Sequence, residues 1–182
     1  MRAARLLSAE EFQHVARDER CELVDGRIVP MTPVGFHHNA MVGRLTWLIG
    51  QHVYLRNLGT VGPELGVKLT ADPDTVLAPD VTFIRRERIK DPHDPGFWKG
   101  PPDLAIEVKS PSDSMTALRK KAQIYLSHGT TLVLLVDPKT RTVSVHRRDA
   151  VPITLQNGAD VLDFDPAVPG FRRTLAEIFG PA

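Results

Sequence analysis

One cysteine, Cys21, stands among 182 residues, which excludes a disulfide framework or a cysteine-based zinc centre built within the chain. No apolar run is long enough to span a bilayer, and the opening Met-Arg-Ala-Ala-Arg-Leu-Leu-Ser-Ala-Glu-Glu lacks the apolar stretch of a signal peptide. The expectation is a protein of the reducing cytoplasm with no membrane partner. An excess of one charge is missing too: 23 Lys and Arg stand against 22 Asp and Glu, a net charge of +1, so no overall basic field marks a nucleic-acid binder. Repeats, heptads and low-complexity tracts are also lacking. What is present is an ordinary globular composition, 42% hydrophobic and 25% charged, at a length that fits one domain, 1–182, with a sizeable core. Basic clusters such as Arg85-Arg86 and Arg119-Lys120-Lys121 read as solvated faces, or as phosphate contacts if they frame a site.

Hydrophobic periodicity places the elements. Ser8 and Glu11 form a capping-box pattern ahead of Phe12, Val15 and Ala16, which predicts a helix over about 8–18. Residues 21–29 read as a hairpin turned by Asp25-Gly26. Within it Glu22 is either an edge-strand charge or a third acidic group facing a cleft. Apolar residues at helical spacing predict the longest helix over about 36–57. His37 and His38 fall at its N-terminal end, as capping or surface groups or as contacts to a phosphate drawn by the helix dipole. Short strands are expected at 59–61 and 64–69, then a turn at 72–75. Residues 91–102 hold too much Pro and Gly for either element. Phe97-Trp98 in that loop either anchors it or stacks on a base.

Ser110-Pro-Ser-Asp113 introduces a helix over about 115–127, with Leu118, Ala122 and Tyr125 facing inward. Lys121 leans toward the packed side, where it snorkels or meets buried carboxylates. Strands at 131–136 and 142–146 follow, then weaker strands near 151–155 and 160–163 and a short helix near 174–179. The succession of strand 102–109, helix 115–127 and strand 131–136 predicts a parallel pair inside a mixed sheet.

Two stretches carry the candidate chemistry. Pro79-Asp80 introduces the apolar run 81–84, and Glu107-Val-Lys109 ends the apolar run 103–108. Successive strand side chains alternate, so Glu107 and Lys109 share one face while Ile106 and Val108 enter the layer behind. If the two strands pair, Asp80, Glu107 and Lys109 converge. Two carboxylates with room for water are what Mg²⁺ asks for, and a lysine beside them can orient a nucleophilic water. A turn aspartate and a solvated Glu-x-Lys pair would carry the same letters. The near-continuous apolar context argues for cover on both faces, where charges need partners or metal.

The pieces Glu22-Leu-Val-Asp-Gly26, the His38 helix, Ala78-Pro-Asp-Val81, Asp103-Leu-Ala-Ile-Glu-Val-Lys-Ser-Pro-Ser-Asp113, Lys121-x-x-x-Tyr125 and Leu134-Leu-Val-Asp-Pro138 occur in this order along most of the chain. In this the sequence resembles the Uma2 (DUF820) family, with the PD-(D/E)xK restriction-endonuclease-like fold. The resemblance implies an α/β (α+β) architecture, a mixed β-sheet flanked by helices with an N-terminal helix and β-hairpin. It implies that Asp80 and Glu107, helped by the Val108 carbonyl, bind Mg²⁺ or Mn²⁺ and that Lys109 is the motif lysine. Glu22 would be the upstream acidic residue and Lys121 a second cation, with His38 and Lys121 contacting phosphate. The expected function is a metal-dependent endonuclease acting on nucleic acid, DNA foremost, with a homodimer suited to cutting two strands. A catalytically inactive nucleic-acid-binding or assembly module is the alternative, and a scaffold with an internal ion network is a third.

Overall fold

The computed structural model describes residues 5–16 and 20–181. The Ser8 hydroxyl accepts from the Glu11 amide and the Glu11 side chain accepts from the Ser8 amide, which starts helix α1 (Ala9–Val15). The expected extension of this helix past Ala16 falls on residues 17–19, outside the described residues. Strands β1 (Cys21–Val24) and β2 (Arg27–Pro30) form the expected hairpin, with Asp25 and Gly26 both at positive φ. Helix α2 (Phe36–Leu55) is the longest. The strands β3 (Gly59–Gly62), β4 (Val67–Thr70), β5 (Thr75–Leu77) and β6 (Val81–Arg85) come next, then the two-residue β7 (Trp98–Lys99) and β8 (Leu104–Val108). Helix α3 (Met115–Ser127) crosses over to β9 (Leu132–Asp137), and the chain closes with β10 (Thr142–Arg147), β11 (Ile153–Leu155), β12 (Val161–Asp163), β13 (Arg172–Thr174) and α4 (Leu175–Phe179).

Where one mixed sheet was expected, the strands of the described residues divide among three. The largest runs β11-β10-β9-β8-β6-β3, a second runs β2-β1-β5-β4-β7, and β12 pairs β13 alone. In the large sheet β8 and β9 are parallel, as the crossover through α3 requires, and β6 lies antiparallel to β8 with Val81 opposite Ile106. The alternation of β8 sends Ile106 and Val108 to one face, against Leu45 and Ile49 of α2 and the C-terminal Phe164 and Phe171. Ala105 goes to the other, with Leu118, Ala122 and Tyr125 of α3. A third apolar cluster joins Phe12 of α1 to Leu23 and Val76 of the second sheet, with Phe97 stacked on Phe12 at 5.8 Å between centroids. Phe97 therefore anchors the loop of 91–102 rather than offering its ring to a base.

Strands β5, β7 and β13 escaped the sequence reading because two or three residues cannot display an alternation. β13 carries two arginines and is held through Arg172, whose guanidinium meets the Asp163 carboxylate at 2.8 Å. Among the described residues no helix is long and apolar enough to cross a membrane.

Phe83 is fully buried in β6, beneath the site described next. Phe83→Ala is expected to cost about 3–5 kcal/mol of unfolding free energy by urea titration. A loss below about 1 kcal/mol would show that this layer is not the core.

Candidate functional site

The site is built where β6 begins and β8 ends. The ladder between these strands stops at Val81 opposite Ile106, so the amide of Val108 lies past the last backbone partner. The Asp80 carboxylate takes that place: its Oδ2 accepts from the Val108 N–H at 2.7 Å. The same oxygen stands 3.2 Å from His38 Nε2 on the first turn of α2. His38 is 5% exposed, so the expectation of a capping or surface histidine is corrected: its ring is packed inward onto Asp80.

Glu107 projects to the α3 side and is 4% exposed. Lys121 and Tyr125, one helical turn apart on α3, both meet it. The Tyr125 hydroxyl donates to Glu107 Oε1 at 2.9 Å. The Lys121 ammonium lies 2.9 Å from Oε1 and 3.1 Å from Oε2, and 2.8 Å from Oε1 of Glu22. Glu22 Oε1 also accepts from the Ala78 N–H at 2.8 Å, which ties the hairpin to the segment leading into Asp80. Of the alternatives open in the sequence, Glu22 is the buried acidic group and not an edge charge, and Lys121 meets carboxylates.

Two buried carboxylates, Glu22 and Glu107, thus share the half-buried Lys121 ammonium, and Asp80, buried too, is held separately by the Val108 N–H and His38. Burial pushes the Glu107 carboxyl up to about 8, Lys121 opposes this, and the charges of Asp80 and Glu22 reinforce it. Burial alone would neutralise Lys121, but Glu107 and Glu22 outweigh it and hold the ammonium protonated. Burial also raises the Tyr125 phenol well above its usual value, and the Glu107 charge adds to the effect. For His38, burial disfavours the imidazolium, yet the hydrogen bond to Asp80 and its charge raise the pKa on balance.

Lys109 goes elsewhere. Its ammonium stands 3.9 Å from Asp137 Oδ2 at the end of β9, and among the described residues the ion pairs of Glu107 run to Lys121. Lys109 and His38 both line a cleft of about 710 Å³ beside the carboxylates. Tyr125 was not singled out as a site residue from sequence, being legible only as an inward helix position four residues after Lys121; Val108 was expected to act through its carbonyl, and its N–H engages Asp80 as well. The donor set is of the hard-oxygen kind that a divalent cation takes: the carboxylates of Asp80 and Glu107 come from adjoining strands. Among the described residues no three His, Cys, Asp or Glu side chains converge tightly enough to hold an ion by themselves. Mg²⁺ needs fewer, since it is usually held by one or two carboxylates and keeps several waters.

The arrangement of sheets and helices is a mixed α/β fold. The chain superposes with a TM-score of 0.84 on the crystal structure of "a putative nuclease belonging to DUF820" from Anabaena variabilis, at 21% identity over 95% of this chain and 97% of that one. A looser likeness, TM-score 0.36 at 11% identity over 71% of this chain and 89% of the other, is to the DrdV–DNA complex solved by electron cryomicroscopy. The profile of Uma2, described as "Putative restriction endonuclease", matches residues 9–176, and the chain belongs to that family. No curated protein matches it significantly.

The charge balance has a consequence for stability. An unfolded Glu107 ionises near the ordinary 4.5, whereas the folded one keeps its proton to about 8. The folded state therefore binds more protons between those values, and stability falls as pH rises across that window. In chelator, urea unfolding of the wild type at pH 5, 6, 7 and 8 is expected to show this decline, and Glu107→Gln to flatten it. A wild-type stability that climbs with pH over the same window would contradict the assignment.

Proposed function

We propose that this chain, acting as one domain over 1–182, is a Mg²⁺- or Mn²⁺-dependent endonuclease that hydrolyses DNA phosphodiester bonds. The observation that carries the reading is the pair of buried carboxylates Asp80 and Glu107 on adjoining strands, the first held by the Val108 N–H and His38 and the second by Lys121, with His38 and Lys109 also lining a cleft. Asp80 and Glu107, with the Val108 carbonyl, are the residues that would hold the ion. A divalent cation so bound lowers the pKa of water and neutralises phosphate charge.

The remaining residues have roles that follow from their contacts. Val108 N–H and His38 both engage Oδ2 of Asp80, which fixes the carboxylate in the position from which it would hold an ion. Lys121 and Tyr125 hold Glu107 in one rotamer, as supporting groups around a ligand do. Lys121 also keeps Glu22 in place, and its charge is available to phosphate. Lys109, on the cleft wall, would leave Asp137 to orient the attacking water and to offset charge on the phosphate. A two-fold dimer would bring two such sites to two strands.

A second reading is a nucleic-acid-binding module without hydrolytic activity. It is favoured by Lys121, which already partners Glu107 and Glu22.

Incubation of plasmid and linear DNA with Mg²⁺ or Mn²⁺ distinguishes the two. Cleavage by the wild type is expected, with Asp80→Asn and Glu107→Gln slower by at least about a hundredfold. DNA left intact by the wild type, or cut equally by these variants, defeats the nuclease reading. Salt-dependent binding without cutting would establish the second.

A further inference from the structure

The cleft of about 710 Å³ opens at the N-terminal end of α2, and its lining fits more than a backbone phosphate. This helix starts without a cap: no side chain accepts from its first turn, and the N-cap residue is Gly35. Among the described residues nothing lies within 4 Å of the position a Cβ would take on Gly35, so the space beside that residue is open. The first-turn N–H groups have no intrahelical acceptor, and with the aligned peptide dipoles they favour an anion there.

A second observation points the same way. His38, buried at 5% exposure, lines this cleft, and among the described residues its Nδ1 has no hydrogen-bond partner while Nε2 faces Asp80. A buried polar atom left alone carries a cost that a bound ligand can remove.

The other walls complete the fit. Lys109 and the exposed Lys139 bring positive charge. Asp137 is the one carboxylate among the described lining residues, and Lys109 stands 3.9 Å from it. Arg44 and Arg141 are tied to the carbonyls of Glu177, Ile178 and Gly180, so they serve as fixed wall. Phe36, the first residue of α2, is 82% exposed, a large apolar surface left uncovered at the cleft edge. A ring in that position can stack only on a base that has left its duplex, since paired bases present their edges.

We propose that the cleft binds an unpaired DNA nucleotide, its phosphate on the α2 N-terminus between Lys109 and Lys139 and its base stacked on Phe36, so that the substrate is single-stranded or locally opened DNA. This rests on the nuclease reading for the cleft's place beside the carboxylates, but binding can be measured without cutting.

The test is fluorescence anisotropy of the full chain with a labelled single-stranded oligonucleotide and the blunt duplex of the same sequence, in the absence of divalent metal. The single strand is expected to bind more tightly. Phe36→Ala should weaken it about tenfold and leave duplex binding nearly unchanged, and Lys139→Ala should lower the salt slope of single-strand binding by about one. Both positions are exposed, so thermal melting of the variants should match the wild type. Equal or tighter duplex binding, no binding of either DNA, or a Phe36→Ala affinity equal to wild type overturns the proposal. A protein that shows the expected binding but never cuts keeps this inference and loses the nuclease reading. One that cuts while Phe36→Ala binds like wild type does the reverse.

Discussion

Lys121 sits between Glu107 and Glu22, and the segments around the site are arranged about that contact. Glu22 belongs to the second sheet, Glu107 to the centre of the large sheet and Lys121 to the crossover helix, so one ammonium joins three separate parts of the fold. Asp80 adds a fourth by closing the end of the β6–β8 ladder through the Val108 amide. Such a cluster is a poor device for stability. Removing charges from water costs several kcal/mol per ion, and an apolar replacement of similar volume is often as stable or more so. The apolar layers on both faces of β8 would accept such a replacement readily. Chemistry explains the group better than stability does.

The same balance explains the protonation state of the site. Burial of Glu107 outweighs the Lys121 ammonium beside it, and the charges of Asp80 and Glu22 add to the effect, so its carboxyl is pushed up to about 8. A divalent cation would supply positive charge and let that proton leave. Burial, neighbouring charge and proposed metal dependence are thus three aspects of one constraint. Tyr125 and His38 belong to it because each fixes one carboxylate by a hydrogen bond.

Much of this was legible in the sequence, for reasons specific to each element. The capping box at Ser8 and Glu11, the Asp25-Gly26 turn and the 3.6-residue stripe of α3 are local patterns, and the structure keeps them. The lean of Lys121 toward the packed face followed from its angular position alone. Strand alternation put Glu107 and Lys109 on a common face but could not give the direction of a flexible lysine at the end of β8. Its ammonium turns to Asp137, 3.9 Å away, because that carboxylate ends the neighbouring parallel strand. His38 was read as a cap or surface group because its partner lies 42 residues along the chain. The division into three sheets depends on pairings of two- and three-residue strands with no local signature.

Likeness to the DUF820 structure at 21% identity fixes the fold, and membership of Uma2 fixes the family. The chemistry rests on this chain's own side chains. The most direct test of the central claim is a crystal structure with Mn²⁺ recorded at an anomalous wavelength. The account predicts a single strong peak between Asp80 and Glu107, about 2.1 Å from a carboxylate oxygen of each, with Lys121 still on Glu22. No peak there, or an ion bound elsewhere while Lys121 alone fills the space between the carboxylates, would contradict it.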